Sequence, residues 1–284
     1  MGALDQTYTP TQLAAHIRKV WSKEIGLTAS EEQVVVPHFK ELEKIEGELA
    51  FRKFGTLTSN DLANATVASG LTASGNTEVT VSALPLTKYC MAVVNLNTIA
   101  RCAFDPKVPL RKQMEASIYE QVDRTGAGLA TGLSSNIVGA VDRDLDDPMI
   151  REAKRKLITS AKSAYKVGDT KFATIIHPNQ FENLDGIEAF YRADFRGDKE
   201  NPLISGAVCE VRGGYWFESG NIQVDTVTRN LMLLPDMTFG IGYNQKYAVK
   251  MEEFELIYKL IAWVDFGVME CFDEYGVLIQ TRPS

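Results

Sequence analysis

A stretch of 22 residues between Thr56 and Thr77 constrains the fold of this chain more than any other feature. Eighteen of its residues are Thr, Ser, Asn, Asp, Ala or Gly, and it contains no aromatic residue and no Lys, Arg or Glu. Connections inside a compact domain are usually about 4 to 6 residues long. The stretch has only four larger apolar side chains, too few for a core of its own. We therefore predict that it projects from the body and is buried against a neighbouring molecule.

The residues on both sides of this stretch have the pattern of β-strands. On the far side Val79, Val81 and Ala83 alternate with polar residues, which is typical of a half-buried strand. On the near side, residues 49–57 can supply the partner strand. The sequence therefore predicts a long β-hairpin with a small, uncharged tip, and such a hairpin is marginal in water unless another surface covers it.

An amphipathic helix is predicted near the N-terminus, at about residues 10 to 25. Its apolar residues recur every four positions from Leu13 to Ile25, and Gly26 is placed to end it. Residues 1 to about 40 are therefore interpreted as an arm that packs on something else.

Two further helices begin with an Asp-Pro pair, in which Asp caps the helix and Pro occupies its first position. The pair at 105–106 opens a long helix that ends near Gly132 and presents one apolar face over about five turns. The pair at 147–148 opens a second helix that continues to about Lys166. The Lys and Arg residues of the second helix are interpreted mainly as a solvated face.

After Gly168 the pattern becomes rich in β-strands. The first predicted elements are a buried strand at 172–176, a helical turn from Pro178, and strands at 207–211 and 215–217 around a Gly213-Gly214 turn. A long strand is predicted at 253–270, and a turn at 273–276 joins it to a short strand at 277–281.

Charge and cysteine usage exclude several classes of protein. The formal net charge of −7 argues against a protein whose main task is to grip nucleic acid, since that task needs many Lys and Arg residues. It is compatible with a container, because a weakly repulsive wall lets a packaged polyanion slide. The four cysteines are widely spread, and no two of them have CxxC spacing, which predicts reduced thiols at Cys90, Cys102, Cys209 and Cys271.

The N-terminus has no secretory signal, and the sequence contains no membrane span. The longest apolar-rich stretch, 254–269, is interrupted by three charged residues.

No group of residues predicts catalysis. His16, His38 and His177 lie in three unrelated segments, and none has a second His or Cys at metal-ligand spacing. The glycines at 126–132 lack the Lys-Ser/Thr of a phosphate-binding loop and are interpreted as the end of a helix.

The acidic residues at 142–146 begin like a calcium loop, but Asp147 stands where that loop needs Gly, and Ala153 where it needs Glu. Asp147 is therefore interpreted as a helix cap. We predict no catalytic residue, no cofactor-binding residue and no metal-binding residue in this chain, and hence no cofactor.

Four passages together resemble the major capsid proteins of tailed bacteriophages, which share the Hong Kong 97-type fold with encapsulins. TEVTVSALPLTKYCMAVVNLN (77–97) is similar to the returning strand of the family's extended loop, and residues 109–130 are similar to its spine helix. FATIIHPNQFENL (172–184) and GAVCEVRGGYWFESGNI (206–222) resemble the axial domain. DFGVMECFDEYGVLIQTRP (265–283) resembles the closing hairpin of the peripheral domain.

The resemblance implies an α+β fold, the Hong Kong 97-like capsid fold, with four parts. They are an N-terminal arm (1–40), an extended β-hairpin loop (41–88), a two-part peripheral domain with the long spine helix (89–143 and 245–284) and an axial domain (144–244).

The resemblance also implies a function. The expected protein is not an enzyme but a major capsid protein that self-assembles, as pentamers and hexamers, into the icosahedral head shell of a tailed phage. That shell encloses double-stranded DNA without sequence-specific binding; it belongs to the virion and is assembled in the host cytoplasm. Because the arm begins almost at Met1, a separate scaffolding protein is expected, together with a portal and no membrane.

Two alternatives remain open at this point. One is an encapsulin-type nanocompartment shell, and the other is a two-domain soluble α/β enzyme, for which the sequence lacks a polar cluster. Some relatives of the capsid family cross-link a Lys to an Asn of another subunit. Lys53 lies in the corresponding region, but nothing marks an Asn partner, so a solvated side chain is expected there.

Overall fold

The computed structural model describes residues 33–42, 49–54, 78–95, 107–161, 171–187, 190, 209–254 and 257–283. The predicted N-terminal helix, the hairpin tip and the Asp-Pro pair at 105–106 lie outside these residues, as does the second helix beyond Ala161.

The described residues form three α-helices and twelve β-strands. The helices are α1 (Lys107–Gly128), α2 (Asp147–Ala161) and α3 (Pro178–Phe181). The strands are β1 (Lys40–Glu41), β2 (Leu49–Phe54), β3 (Glu78–Ala83), β4 (Leu86–Asn95), β5 (Ile137–Gly139), β6 (Phe172–Ile176), β7 (Cys209–Val211), β8 (Gly214–Glu218), β9 (Thr228–Leu233), β10 (Phe239–Phe254), β11 (Ile257–Glu270) and β12 (Gly276–Thr281).

The larger sheet has six strands in the order β5-β12-β9-β6-β8-β7, and both of its faces are covered. All five residues of β6 are buried, as the continuous apolar run at 172–176 predicts. Ala173 and Ile175 belong to one hydrophobic core, whereas Phe172 and Ile176 belong to a second core shared with α2. Successive side chains of a strand point to opposite faces, so the sheet separates the two cores.

The smaller sheet has four strands in the order β1-β10-β11-β4 and is covered on one face. Along β11, alternate residues such as Leu260 and Val264 are buried in the core that also contains Met114, Ile118 and Val122 of α1. The predicted apolar face of the long helix is thus confirmed. A 3-10 turn at Leu129–Gly132 continues α1 to the predicted end.

Of the predictions for the C-terminal strands, one is confirmed in part and one is wrong. The predicted long strand at 253–270 corresponds to β11 over 257–270, whereas residues 253–254 are the last of β10, which pairs with β11 as an antiparallel hairpin. The predicted closing hairpin does not form. A 3-10 turn at Asp273–Tyr275 carries the chain into the other sheet, where β12 pairs with β9 and β5 instead of β11.

Two local turn predictions also need correction. The carboxylate that caps α2 belongs to Asp146, whose Oδ1 accepts a hydrogen bond from the Met149 N–H at 2.8 Å, and not to Asp147. The turn between β7 and β8 is formed by Arg212 and Gly213, both with positive φ, and Gly214 is the first residue of β8.

The flanks of the hairpin are confirmed. β2 and β3 pair antiparallel from Leu49↔Ala83 to Phe54↔Glu78. The division into four parts stays a prediction. At its 244/245 boundary β10 continues, with shifts of its register against β11 between Tyr243 and Ala248.

Candidate assembly surfaces

The outer face of β4 exposes large apolar side chains. Tyr89, Met91 and Val93 alternate with Cys90 and Ala92, which pack against the core beside α1. The three outward residues are 74 %, 51 % and 54 % exposed. Contiguous exposed apolar surface of this kind marks an interaction site in soluble proteins.

The neighbouring strand widens this apolar face. Trp263 and Ile261 of β11 stand directly opposite Tyr89 and Met91 in the antiparallel ladder, and both are half-buried. Residues that stand opposite each other share a face of the sheet. We call the surface formed by Tyr89, Met91, Val93, Ile261 and Trp263 the apolar sheet face.

A polar border lies beside the apolar sheet face, on β10. Lys250 and Glu252 continue the same side of the sheet and form an ion pair of 2.7 Å. An apolar centre with a polar border is the usual anatomy of a protein–protein interface. In addition, β4 is the last strand of its sheet in the part of the chain that the structure describes, so one row of its backbone groups has no strand partner there.

The base of the β2–β3 hairpin rests on the end of β11. Phe51 contacts Phe272 edge-on, with ring centroids 5.5 Å apart, and Lys40 Nζ lies 5.1 Å from the centroid of the Phe51 ring. Phe51 and Ala83 pack on the small core of Met269 and Cys271. The hairpin is therefore fixed to the body at its root.

A buried carboxylate of α1 binds the backbone of residues 34–36. Asp123 of α1 is fully buried, and its Oδ1 accepts hydrogen bonds from the backbone N–H groups of Val35 and Val36, both at 2.9 Å. Its Oδ2 accepts from the Val34 N–H at 3.3 Å and from the Asn221 side-chain amide at 3.1 Å. Hydrogen bonds to an ionised group are about twice as strong as neutral ones, so this group joins three separate segments of the chain firmly.

His38 lies in the same segment and faces the larger sheet. Its ring lies 4.6 Å from the Phe217 ring of β8, centroid to centroid. Burial lowers the pKa of His38 from its usual 6.5, and the charges of Asp236 and Asp123 partly oppose that shift. Segment 33–42, which we call the arm root, thus contacts both α1 and the larger sheet.

The structure brings none of the candidate catalytic positions of the sequence together. His38 and His177 belong to different surroundings; the Nδ1 of His177 accepts a hydrogen bond from the Asn179 N–H at the start of α3. His16 lies outside the described residues. Within the ranges that the structure describes, no group of three or more His, Cys, Asp or Glu residues is placed to hold a metal ion.

The remaining sequence predictions also have a place in the fold. The glycines at 126–132 end α1, as predicted. Cys90 lies half-buried on β4 and Cys271 is buried, whereas Cys102 lies outside the described residues. Lys53 lies on β2. Among the described helices, none combines the length and the apolar composition that a bilayer crossing requires.

The sequence did not single out the apolar sheet face or Asp123. The sequence did contain a signal for the sheet face. Every residue from Tyr89 to Val94 is apolar or aromatic, and a strand of that composition needs cover on both faces. For Asp123 the only signal was a single acidic residue on the apolar side of a predicted helix. Sequence alone does not tell whether such a residue is buried or exposed to solvent.

Comparisons with known proteins find no matching family model and no matching curated protein. Solved structures do match. The capsid of cyanophage Pam1 aligns with a TM-score of 0.73 at 11 % identity and covers 98 % of this chain and 99 % of its own. The capsid of cyanophage P-SCSP1u aligns at 0.72 and 10 % identity (98 % and 100 % covered), and that of Ralstonia phage GP4 at 0.70 and 11 % identity (100 % and 99 %).

These alignments extend over essentially the whole chain. At such low identity they define the fold, and the expected α+β fold of phage capsid proteins is confirmed.

Proposed function

We propose that this chain is the major capsid protein of a tailed phage and that its copies assemble into an icosahedral shell around double-stranded DNA. The match of the complete chain to phage capsid structures supports the proposal most strongly. The role is structural and not enzymatic.

The exposed surfaces of the single subunit fit this role. The apolar sheet face would be costly for a protein that stays alone in water, and so would the edge of β4, which has no strand partner among the described residues. In a closed shell every subunit has neighbours on all sides, so that repeated contacts cover such surfaces and leave no open edges. Residues 41–88 and 1–40 would extend to neighbouring subunits, with residues 144–244 around the five-fold and six-fold axes.

The charge of the chain also fits a container. A wall made of subunits with a net charge of −7 repels phosphates weakly and does not hold them at fixed places. The proposed partners, which follow from the family resemblance, are further copies of this chain, as pentamers and hexamers, a scaffolding protein and a portal.

Electron micrographs and sedimentation of the purified protein test the shell. We expect capsomers or closed shells at high concentration, and we expect chelators to leave them intact. A protein that stays a monomer or small oligomer in the presence of co-expressed scaffolding protein would contradict the proposal.

The nature of the contents tests the phage assignment separately. Particles isolated from cells that carry the gene should protect double-stranded DNA from nuclease. Shells that contain a protein cargo and no DNA would replace the phage assignment with a nanocompartment.

A further inference from the structure

A cleft beside α2 collects positive charge that the described fold does not neutralise. Its lining residues are Arg151, Lys154, Arg155, Ile158, Thr159 and Arg212. Asp147 is the carboxylate that contacts this group: it pairs with Arg151 at 2.5 Å and also with Arg212. Among the described residues, four cations against this one carboxylate leave a net charge of three positive units at the cleft.

The backbone at Arg212 is unfavourable for its side chain. Arg212 has φ 57° and Gly213 has φ 83° in the two-residue turn between β7 and β8. Asn, Asp and Gly are the residues that such a turn favours, because a larger side chain is strained at positive φ. Strained residues concentrate at functional positions, so the conformation of Arg212 agrees with a functional role for its side chain but does not establish one alone.

That strained turn places two cations next to each other. The Arg212 carbonyl accepts a hydrogen bond from Lys154 Nζ at 2.5 Å. Burial lowers the pKa of Lys154, and the positive charge of Arg212 lowers it further. The positive charges of the cleft are therefore crowded, and an added anionic group would relieve their repulsion.

The lining of the cleft combines apolar and charged groups. Ile158 and the aliphatic stems of the basic residues supply apolar surface beside the charged groups. The guanidinium of Arg155 has no ion pair within the described part of the chain. Arg binds carboxylates through two parallel hydrogen bonds, so Arg155 is suited to receive one.

We propose that this basic cleft receives carboxylates of a neighbouring copy of the chain and forms an ionic contact between adjacent subunits. The inference rests on the proposed shell function. Each copy carries a net charge of −7, so the residues outside the cleft together carry −10, and copies repel one another. A cleft of the opposite sign is complementary to the acidic remainder of the next copy. A phosphate backbone fits less well, because it is held by an extended array of cations and not by one isolated cleft.

Two substitutions together lower the net charge of the cleft from three positive units to one. Arg155→Gln acts on an exposed position of α2, where Gln is also a good helix former. Arg212→Asn keeps a residue that tolerates positive φ, so the turn is retained. Lys112→Gln on the exposed side of α1 is the matched control for Arg155→Gln, and Arg111→Gln/Lys112→Gln is the matched control for the double variant, since each removes the same number of positive charges elsewhere. Circular dichroism should show melting midpoints close to that of the unmodified protein for all of these variants.

The test measures shell yield by sedimentation and electron microscopy at about 50 mM and about 500 mM salt. We expect the double variant Arg155→Gln/Arg212→Asn to lower the yield at least about tenfold at low salt and to lose most of its salt dependence. The two control variants should leave both unchanged. If the double variant loses thermal stability, the single Arg155→Gln variant decides, because that side chain forms no ion pair and no hydrogen bond among the described residues.

Each other outcome counts against the inference. Normal shells from the double variant, with an unchanged salt dependence, would overturn it and leave the proposed function standing. Absence of shells from the unmodified protein would overturn the proposed function, and the inference with it. A fluorescent DNA duplex of about 20 base pairs serves as a second probe. DNA binding that the double variant loses, with shell yield unchanged, would make the cleft a nucleic-acid site and overturn the inference.

Discussion

The two sheets of this protein differ in how completely the chain covers them. The six-stranded sheet has a hydrophobic core on each side, and β6, β9 and β12 are buried along almost their whole length. The four-stranded sheet has α1 and the core on one side and exposes the apolar sheet face on the other. Among the described residues, the first region is therefore buried on both faces, whereas the second leaves one apolar face exposed.

This difference separates two kinds of residue. Positions in and around the six-stranded sheet should control whether the subunit folds, since burial there is complete. Positions on the apolar sheet face should control whether folded subunits associate, because they gain burial only from another molecule.

The largest expected effect is at the junction of the two regions, where Asp123 connects α1, the arm root and Asn221. Asp123→Ala should lower the free energy of unfolding by about 3 to 5 kcal/mol, because it leaves several buried donors without an acceptor. Urea denaturation followed by fluorescence measures this change. Glu120→Ala, one turn earlier on α1, removes a more exposed ion pair with Arg124 and should cost less than about 1 kcal/mol. Equal losses would mean that Asp123 is not the anchor.

A second large effect is expected inside the six-stranded sheet, at Gly139. Its φ is 95°, and an added Cβ would lie 2.1 Å from the Gln280 carbonyl oxygen of the adjacent β12. Gly139→Ala should therefore destabilise the subunit by about 2 to 4 kcal/mol. Gly128→Ala is the control with the opposite sign: this glycine has helical φ and ψ and open space around it, so Ala should stabilise by about 0.5 to 1 kcal/mol. Thermal melting curves of the two variants, compared with that of the unmodified protein, test both expected changes in stability.

A smaller effect on folding, with a large effect on association, is expected on the apolar sheet face. The double substitution Met91→Thr/Val93→Thr keeps residues suited to a strand and should change the stability of the subunit by less than about 1 kcal/mol. Shell yield should nevertheless fall strongly. Leu260→Thr on β11 is the matched control, because its side chain is buried on the covered side and should destabilise the subunit itself. If the double substitution unfolds the subunit, or if shells form normally, the apolar sheet face does not control association separately from folding.

The sequence predicted the elements whose signals are local. The α1 face, the buried β6 strand, the turn at Pro178 and the hairpin strands β2 and β3 all follow from periodicity and from Pro or Asp at their starts. The family resemblance supplied the global arrangement, because no local pattern tells which strands become neighbours.

Some failures are local. The cap of α2 and the β7–β8 turn each lie one residue before the predicted position, and the turn between β10 and β11 gives no signal because residues 255–256 are Glu and Leu. The other failures depend on contacts between distant residues. The pairing of β12 with β9 and β5, and not with β11, joins segments about 50 and 140 residues apart in sequence. Which face of the apolar β4 strand lacks cover depends on where α1 packs, and this is decided by tertiary structure alone.

The smallest expected effect tests the arm root by pH. His38 packs on Phe217 of the larger sheet, and burial holds its pKa below 6.5. The unfolded chain therefore takes up a proton at this residue more readily than the folded subunit does. The stability that His38 contributes is complete well above pH 6.5 and is lost progressively as the pH falls through that value toward the lower pKa of the folded state.

Melting curves between about pH 7.5 and about pH 5.5 isolate this contribution, because ordinary Asp and Glu residues stay ionised over most of that range. The unmodified protein should lose a little more stability across the interval than His38→Gln, which has no proton to bind there. His177→Asn is the control, since Asn also caps a helix at the start of α3 and leaves the arm root untouched. An identical pH dependence of the unmodified protein and His38→Gln would mean that the His38 ring is already hydrated in the folded subunit. The arm root would then pack only loosely on the larger sheet, and the complete burial of that sheet would not include its contact with the arm root.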